Sequence, residues 1–147
     1  MKRLFILLTI LFLFPLSARA EEIRPQKRID IDLSEQRLRY YFGDIEVSSI
    51  LISSGLPMTP TPVGEFTVLK KLPLVRYRGL NRDGTVAYDY PRTKWNLMFY
   101  PRYYIHGSYW HNAFGTPRSH GCINVSYDDM EQIYNFATIG TRVTIHD

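Results

Sequence analysis

Apolar and polar residues alternate in several short segments of the chain, and this alternation predicts β-strands. In segment 28–33, isoleucine and leucine alternate with aspartate, as in a strand that is buried on one face. Similar patterns predict further strands at 37–42, 45–53, 65–69, 95–100, 103–106 and 142–146. Segment 73–94 gives mixed signals and no element is assigned there, although Gly79, Asp83-Gly84 and Pro91 indicate turns.

One amphipathic helix is predicted at 126–137. Ser126 is a favourable N-cap, and Asp129, three residues later, completes a capping box. The apolar positions that share one helical face are Met130, Ile133, Tyr134 and Ala137, and Gly140 suits the end of the helix. Many strands and a single helix predict a mostly β fold, a sandwich or barrel-like mixed sheet with one helix near the C-terminus.

The first 20 residues have the layout of a secretory signal peptide. A basic start at Lys2 and Arg3 precedes an almost wholly apolar segment at 4–16. Small residues at Ala18 and Ala20 then occupy the positions that a signal peptidase reads. The apolar run is shorter than the ~20 residues of a bilayer span, which disfavours an uncleaved anchor. We therefore expect an exported protein with a lead-in at 21–28, one domain at 29–147 and no stable membrane span after signal removal.

Charge and cysteine content narrow the function further. Loss of three basic residues with the signal leaves 15 basic residues against 14 acidic ones, so the mature chain is almost neutral. Nucleic-acid binding therefore loses its main support, and we expect no nucleic-acid partner. The single cysteine forms no internal disulfide, and a lone cysteine in an exported protein is either an intermolecular link or a free reactive thiol.

The residues with catalytic potential are concentrated between His106 and Asn124. This segment holds three of the four histidines and the single cysteine, Cys122. An imidazole is the usual means of activating a thiol, and His106 and His120 are the candidates. If the chain is extended there, His120 and Cys122 point to the same face. Gly121 allows close approach to a substrate, and the N–H groups of Gly121 and Cys122 could stabilise an oxyanion.

Two other interpretations of Cys122 remain open at this point. A buried free cysteine is common and usually inert, but this one lies beside histidine and glycine in a polar segment. A metal site could use His106, His111, His120 and Cys122. Their spacing matches neither paired C-x-x-C nor H-E-x-x-H, so no metal is expected. A reactive thiol is the favoured interpretation.

These residues resemble the signature of the L,D-transpeptidase catalytic domain, also called the YkuD-type domain. That signature is a histidine, a spacer, Ser/Thr-His-Gly-Cys, an apolar residue, and then Asn or Arg. The matching residues are Ile105-His106-Gly107 and Ser119-His120-Gly121-Cys122-Ile123-Asn124. Segment 31–38 is similar to the opening hairpin of the family, and segments 53–55 and 59–66 are similar to a second recurring stretch. The resemblance covers nearly all of 29–145 and is weaker over 72–92.

The resemblance implies a cysteine acyltransferase that acts on peptidoglycan stem peptides in the periplasm or cell wall. Cys122 would attack the carbonyl that joins the third-position diamino acid to D-Ala, release D-Ala and form a thioester. His106 would be the general base, oriented by the backbone carbonyl of Gly107. Backbone groups of His120, Gly121 and Cys122 would supply oxyanion donors.

The resemblance also implies roles for the neighbouring residues. Ser119 and Asn124 would hold the loop through hydrogen bonds, and Trp110 and Arg118 would line the substrate pocket. The acyl acceptor would be a stem side-chain amine, water, or a lysine of an envelope protein. The family uses neither a metal nor an organic cofactor, and it is typically sensitive to carbapenems.

Three other functions compete with L,D-transpeptidation. A murein L,D-carboxypeptidase would use the same site with water, and the sequence does not separate the two reactions. A papain-like wall endopeptidase places cysteine before histidine, whereas His106 precedes Cys122 here. A non-catalytic peptidoglycan-binding module would need neither residue.

Overall fold

The structure is a computed structural model that describes residues 26–147. The predicted signal peptide at 1–20 and most of the predicted lead-in at 21–28 lie outside the described residues. The first strand begins at Lys27, inside that lead-in segment. Lys27 belongs to the strand because it pairs with Phe42 of the next strand, and its Nζ donates to the carbonyl of Phe136 at 2.6 Å.

The described chain folds into nine strands and one helix. The strands are β1 (Lys27–Asp32), β2 (Arg37–Phe42), β3 (Ile45–Leu51), β4 (Gly64–Thr67), β5 (Lys70–Leu80), β6 (Val86–Tyr100), β7 (Tyr103–Gly107), β8 (Ile123–Val125) and β9 (Arg142–His146). The helix, α1 (Tyr127–Phe136), lies between β8 and β9. The predicted mostly β fold with one helix near the C-terminus is therefore confirmed.

The strands form two mixed sheets. One has five strands in the order β3-β2-β1-β9-β4, and the other has four in the order β5-β6-β7-β8. Each sheet contains one parallel pair, β1 with β9 and β7 with β8. The antiparallel pairs include the hairpins β1–β2 and β2–β3, which join neighbours in the sequence.

The apolar faces of the two sheets and the helix share one core. Its fully buried side chains include Ile29, Ile31, Leu38, Ile52, Leu97, Phe99, Ile105, Ile123, Met130, Ile133, Val143 and Ile145. The isoleucines of segment 28–33 thus face the core, as the alternation with aspartate predicts. Full burial of one such side chain is worth about 1.5–3 kcal/mol, so this set dominates the stability of the domain.

Helix α1 begins as its sequence predicts, but it ends at Phe136, so Gly140 lies in the following turn and does not cap it. The Ser126 Oγ accepts a hydrogen bond from the Asp129 N–H at 3.2 Å, and Ala137 is the C-cap. The Tyr127 hydroxyl accepts from the Lys94 N–H at 3.2 Å and donates to the carbonyl of Arg92 at 3.1 Å. These bonds fix the start of the helix against β6. No helix within residues 26–147 has both the length and the apolar character to cross a membrane.

The long hairpin of β5 and β6 occupies the segment that could not be assigned from the sequence. The turns indicated by Gly79 and Pro91 are wrong, because both residues lie inside strands. Gly79 is needed for packing, since a Cβ there would lie 2.3 Å from the Tyr88 ring. Pro91 lies at a shift in the strand register, the kind of position where a strand tolerates proline. The turn at Asp83-Gly84 is confirmed, with Gly84 at φ 84°.

Candidate active site

Two parallel strands bring the histidine and the cysteine of the motif together. His106 lies on β7, in register with Asn124 of β8, and Cys122 immediately precedes β8. Adjacent strands lie about 4.8 Å apart, and Cys122 lies two residues before the partner of His106, so the two residues are placed diagonally across neighbouring strands. Both His106 and Cys122 line the same cavity.

The loop at 119–122 is held in a bent conformation by its own hydrogen bonds. The Ser119 Oγ accepts from the Gly121 N–H at 2.9 Å and donates to the carbonyl of Cys122. Gly121 has φ 112°, and a Cβ there would lie 2.6 Å from the Tyr103 ring, so glycine is required. The chain is therefore not extended at 120–122, and alternation does not explain how His120 and Cys122 are oriented.

The same hydrogen bond changes the set of available oxyanion donors. The Gly121 N–H was expected to be one of them, but it is already bonded to Ser119 in this structure. An N–H that is engaged within the loop is not free to receive an oxyanion. The resting loop therefore does not supply the donor that was assigned to Gly121.

The segment after β3, residues 53–55, holds the loop at 119–122 through backbone contacts. Ser53 forms an isolated bridge with Asn124, and Gly55 forms another with Ser119. The carbonyl of Ser54 accepts from the N–H groups of both Arg118 and Ser119 at 2.9 Å. A Cβ on Gly55 would lie 2.2 Å from the carbonyl oxygen of Thr59, which explains the glycine at this position.

The surroundings of His106 favour its neutral imidazole form. Its residue is 3% exposed, and burial lowers the pKa of its imidazole to about 4. Its Nδ1 lies 3.0 Å from the carbonyl oxygen of Gly107. A carbonyl accepts hydrogen bonds and does not donate them, so Nδ1 carries the proton and Nε2 is left as the basic nitrogen.

The surroundings of Cys122 favour its protonated thiol form. Burial raises the pKa of its thiol to about 11. Its Sγ makes a weak contact of 3.9 Å with the carbonyl oxygen of Arg102. A thiol beside a neutral imidazole can act as a nucleophile if the imidazole takes the proton as the sulfur attacks.

The other residues expected from the sequence are collected around this pair. A narrow cavity of about 100 Å³ is lined by seven of the nine expected site residues. They are His106, Trp110, Arg118, Ser119, His120, Cys122 and Asn124. The remaining two are glycines, with Gly107 bonded to the His106 ring and Gly121 buried inside the loop. The Nδ2 of Asn124 lies 3.1 Å from the Nε2 of His111.

Three tyrosines from the β5–β6 hairpin complete the cavity, and we call them the tyrosine wall: Tyr77, Tyr88 and Tyr90. Tyr77 stacks on His106 with 4.6 Å between ring centroids, and Tyr88 stacks on His120 at 5.1 Å. Tyr90 stacks on Trp110 at 3.7 Å. Sequence analysis missed this wall, although the spacing of Tyr88 and Tyr90 by two residues is the signal of a shared strand face.

A second, wider cavity of about 530 Å³ also reaches Cys122. It shares Tyr77, Tyr88, His120 and Cys122 with the narrow cavity. Its other lining residues are Val75, Arg76, Arg78, Arg102, Tyr103 and Tyr104. Tyr103 and Tyr104 of β7 therefore face this cavity. Cys122 therefore borders both cavities.

Comparison with known proteins gives one consistent result. The model of the L,D-transpeptidase catalytic domain, YkuD, matches residues 26–145. A Bacillus licheniformis protein named as the L,D-transpeptidase YkuD is 31% identical over 118 residues, 80% of this chain and 64% of that protein. A Mycobacterium tuberculosis protein named as L,D-transpeptidase 3 is 33% identical over 116 residues, 74% of this chain and 42% of that protein.

The fold comparison agrees with the sequence comparison. The crystal structure of L,D-transpeptidase 3 from Mycobacterium tuberculosis with a faropenem-derived adduct has a TM-score of 0.74 and 27% identity. The match covers 84% of this chain and 61% of that chain. The chain spans less than two thirds of the length of both sequence relatives. On the family match and on the shared fold, this chain belongs to the L,D-transpeptidase catalytic domain family.

Proposed function

We propose that this protein is an exported L,D-transpeptidase that acts on peptidoglycan stem peptides through Cys122. The observation that carries the proposal is the position of Cys122 beside a neutral imidazole and between two cavities. One cavity can hold the acyl donor and the other the acyl acceptor. The exported location, in the periplasm or cell wall, rests on the leader-like segment at 1–20.

The first half-reaction forms the thioester. The Nε2 of His106 takes the thiol proton while the sulfur of Cys122 attacks the carbonyl between the third-position diamino acid and D-Ala. The tetrahedral oxyanion is stabilised by backbone N–H groups at His120 and Cys122, since the Gly121 N–H is engaged by Ser119. Collapse of this intermediate breaks the C–N bond, and D-Ala leaves as an amine with the proton held by His106.

The second half-reaction transfers the acyl group. An acceptor amine attacks the thioester carbonyl and loses its proton to His106, which returns it to the departing sulfur. The products are a new amide and the free Cys122 thiol. With a stem amine as acceptor the product is a 3-3 cross-link, and with a protein lysine it is an attached protein. With water in the same position the enzyme would be an L,D-carboxypeptidase.

The two-cavity arrangement favours transfer to an amine over hydrolysis. The wide cavity is large enough for part of a second peptide, and aromatic rings surround its shared border with the narrow cavity. A bound acceptor displaces water from the thioester and presents its amine at a high effective concentration. Hydrolysis would then be the slower competing reaction.

We also propose that β-lactams, carbapenems among them, acylate Cys122. The Mycobacterium tuberculosis relative of similar fold carries a faropenem-derived adduct. A strained lactam carbonyl offers the same electrophile as the stem peptide, so the same thiol and base can open it. The expected adduct adds the whole mass of the β-lactam, or of its fragmentation product, to the protein.

The test is mass spectrometry of residues 21–147 incubated with tetrapeptide-stem muropeptides, beside a Cys122→Ala variant. We expect loss of terminal D-Ala, dimers that link third-position residues, and a thioester adduct on the wild-type protein. The variant should lose at least about a thousandfold in rate while it still binds sacculi, because removal of a nucleophile leaves binding intact. Tripeptide monomers alone would indicate a carboxypeptidase, and unchanged muropeptides without an adduct would contradict the proposal.

A further inference from the structure

The wide cavity is lined by cations without an equal number of anions. Its charged lining residues are Arg76, Arg78 and Arg102, and no carboxylate lines it. Arg76 is neutralised by Asp89, with Nε–Oδ1 and Nη2–Oδ2 distances of 2.8 and 2.5 Å. Arg78 and Arg102 form no ion pair with any residue of segment 26–147. Two guanidinium groups that are not held in salt bridges therefore border the cavity beside Cys122, although Asp89 also interacts electrostatically with Arg78.

The backbone ties one of these arginines to the reacting atom. Arg102 has φ 73°, a left-handed conformation that is uncommon outside glycine. Its carbonyl oxygen lies 3.9 Å from the Sγ of Cys122. The side chain of Arg102 therefore starts next to the thioester position. Arg78 comes from β5, where it is in register with Asp89 of β6.

A guanidinium group recognises carboxylates through paired, charge-assisted hydrogen bonds. Amines that can accept the acyl group differ in whether they carry a carboxylate. In a diaminopimelate stem the side-chain amine and a carboxylate are attached to the same carbon. In a lysine stem, or a protein lysine, the amine has no such neighbour. A cation-lined cavity at the thioester can distinguish these two classes of acceptor.

We propose that Arg78 and Arg102 form a carboxylate-binding subsite for the acyl acceptor in the wide cavity. The subsite selects amines with a carboxylate on the same carbon, as in diaminopimelate stems, over lysine-type amines. The inference rests on the proposed acyl transfer and adds the chemical class of the acceptor to it. The carboxylate is unchanged by the reaction: the amine nitrogen forms the C–N bond, the C–S bond breaks, and the amine proton passes through His106 to the thiol of Cys122.

The same arginines help to prepare the amine for attack. An acceptor amine must lose its proton before it can react. Nearby positive charge disfavours the ammonium form, so the two guanidinium groups favour the free amine. The carboxylate anchors the acceptor while the cationic surroundings promote release of its proton.

The experiment uses the full chain and one donor with three acceptors. The donor is a tetrapeptide stem whose side-chain amine is acetylated, so that it cannot accept. The acceptors are a tripeptide with diaminopimelate, the same peptide with the carboxylate next to the amine converted to an amide, and a tripeptide with lysine. We expect kcat/KM for cross-linking to be at least about tenfold higher for the first acceptor, the value of one charge-assisted contact of about 1.4 kcal/mol.

The variants are Arg78→Gln and Arg102→Gln, with Arg82→Gln as the matched control. Arg82 is exposed in the β5–β6 turn and lines neither cavity. We expect the first two variants to lose most of the preference between acceptors and to keep the rate of Cys122 acylation by the donor. Arg82→Gln should retain the preference.

Three results would overturn the inference. The wild-type protein could use all three acceptors equally, Arg82→Gln could lose the preference as fully as Arg78→Gln does, or the two cavity variants could slow acylation instead. The last result would assign these arginines to the donor. Failure of the proposed function is distinct from all of these, because then no donor would acylate Cys122 in any variant.

Discussion

His106 and Cys122 lie in surroundings that disfavour a charge on either side chain. Burial lowers the pKa of the imidazole to about 4 and raises the pKa of the thiol to about 11. At neutral pH the pair is therefore a neutral imidazole and a neutral thiol. A thiol is far less sensitive to oxidants than a thiolate.

Nitrogen-15 NMR of the histidine rings tests this state of His106. We expect the ring to remain neutral from pH 8 down to about pH 5, with the proton on Nδ1, because Gly107 accepts from that nitrogen and burial opposes protonation. His146 serves as an internal comparison, since its carboxy-terminal and Asp30 contacts raise the pKa of its imidazole. An imidazolium signal from His106 at pH 6 would contradict the assignment.

The lowered pKa of His106 also determines whether the free energy of unfolding rises or falls with pH. An unfolded histidine binds its proton near pH 6.5, whereas folded His106 binds it near pH 4. Between these values the unfolded chain holds more protons, so the contribution of His106 to the free energy of unfolding falls as the pH decreases. The loss is on the order of 3 kcal/mol at the acidic end of the window.

At the scale of the elements, the sequence predicted those helices and strands that interactions between nearby residues determine. The capping box at Ser126 and Asp129 fixed the helix, and the alternation in segment 28–33 fixed a strand, because each signal acts within a few residues. The β5–β6 hairpin escaped prediction because Gly79 and Pro91 normally break strands. Their compatibility with this hairpin comes from a tyrosine ring and a register shift that appear once the strands pair.

The candidate site likewise combines residues that the sequence predicted with residues that only the fold brings to the cavity. The residues of the motif could be named from the sequence because their chemistry is local to 106–124. Tyr77 and Tyr88 reach the cavity through strand pairing across the hairpin, and Arg102 through a left-handed turn. The bond from the Gly121 N–H to Ser119 also depends on the folded loop. These contributions are set by tertiary structure, which spacing along the chain does not encode.

Replacement of Gly79 by alanine tests the role of the tyrosine wall. The added Cβ would lie 2.3 Å from the Tyr88 ring, so Tyr88 must move away from His120 and Tyr90. We expect acylation of Cys122 by a β-lactam to slow by about five- to tenfold, with a modest loss of stability, because the substrate-binding surface is displaced. The rate is measured by mass spectrometry of the acylated protein.

Gly84→Ala is the control for backbone strain in the same hairpin. Gly84 has φ 84°, but no atom lies within 4 Å of the position of its Cβ. Alanine there costs about 1 kcal/mol of local strain and leaves the tyrosine wall in place. Equal slowing of acylation in both variants would mean that the flexibility of the hairpin, and not the position of Tyr88, controls the rate.

At the scale of the whole molecule, the end of α1 joins the two sheets. The helix has no basic residue in its last turn. Its terminal carbonyls are instead bonded by Lys27 from β1 and Lys71 from β5, with the Nζ of Lys71 2.6 Å from the carbonyl oxygen of Ala137. Positive charge at a helix C-terminus is favourable. One lysine from each sheet thus holds the same helix.

Lys71→Met tests this connection. Methionine keeps the apolar stem and removes the amine, so the carbonyls of Tyr134 and Ala137 lose their donor. We expect a decrease of about 1–2 kcal/mol in the free energy of unfolding, measured with urea. The adjacent Lys70 is exposed, and Lys70→Met should stay within about 0.5 kcal/mol of the wild type. Equal stability of the two variants would mean that Lys71 does not help to hold the two sheets together.

Because β9 lies between β1 and β4, the five-stranded sheet can be completed only after β9 has been synthesised. Arg142 pairs with Arg28, so the middle of the five-stranded sheet is completed by residues more than a hundred positions apart. Until residue 146 has been synthesised, β1 and β4 each present an unsatisfied edge, and such long-range closure is slow. A polypeptide cut before Arg142 is therefore not a weakened form of the folded domain but an open sheet, the kind of intermediate that quality-control proteases and chaperones recognise.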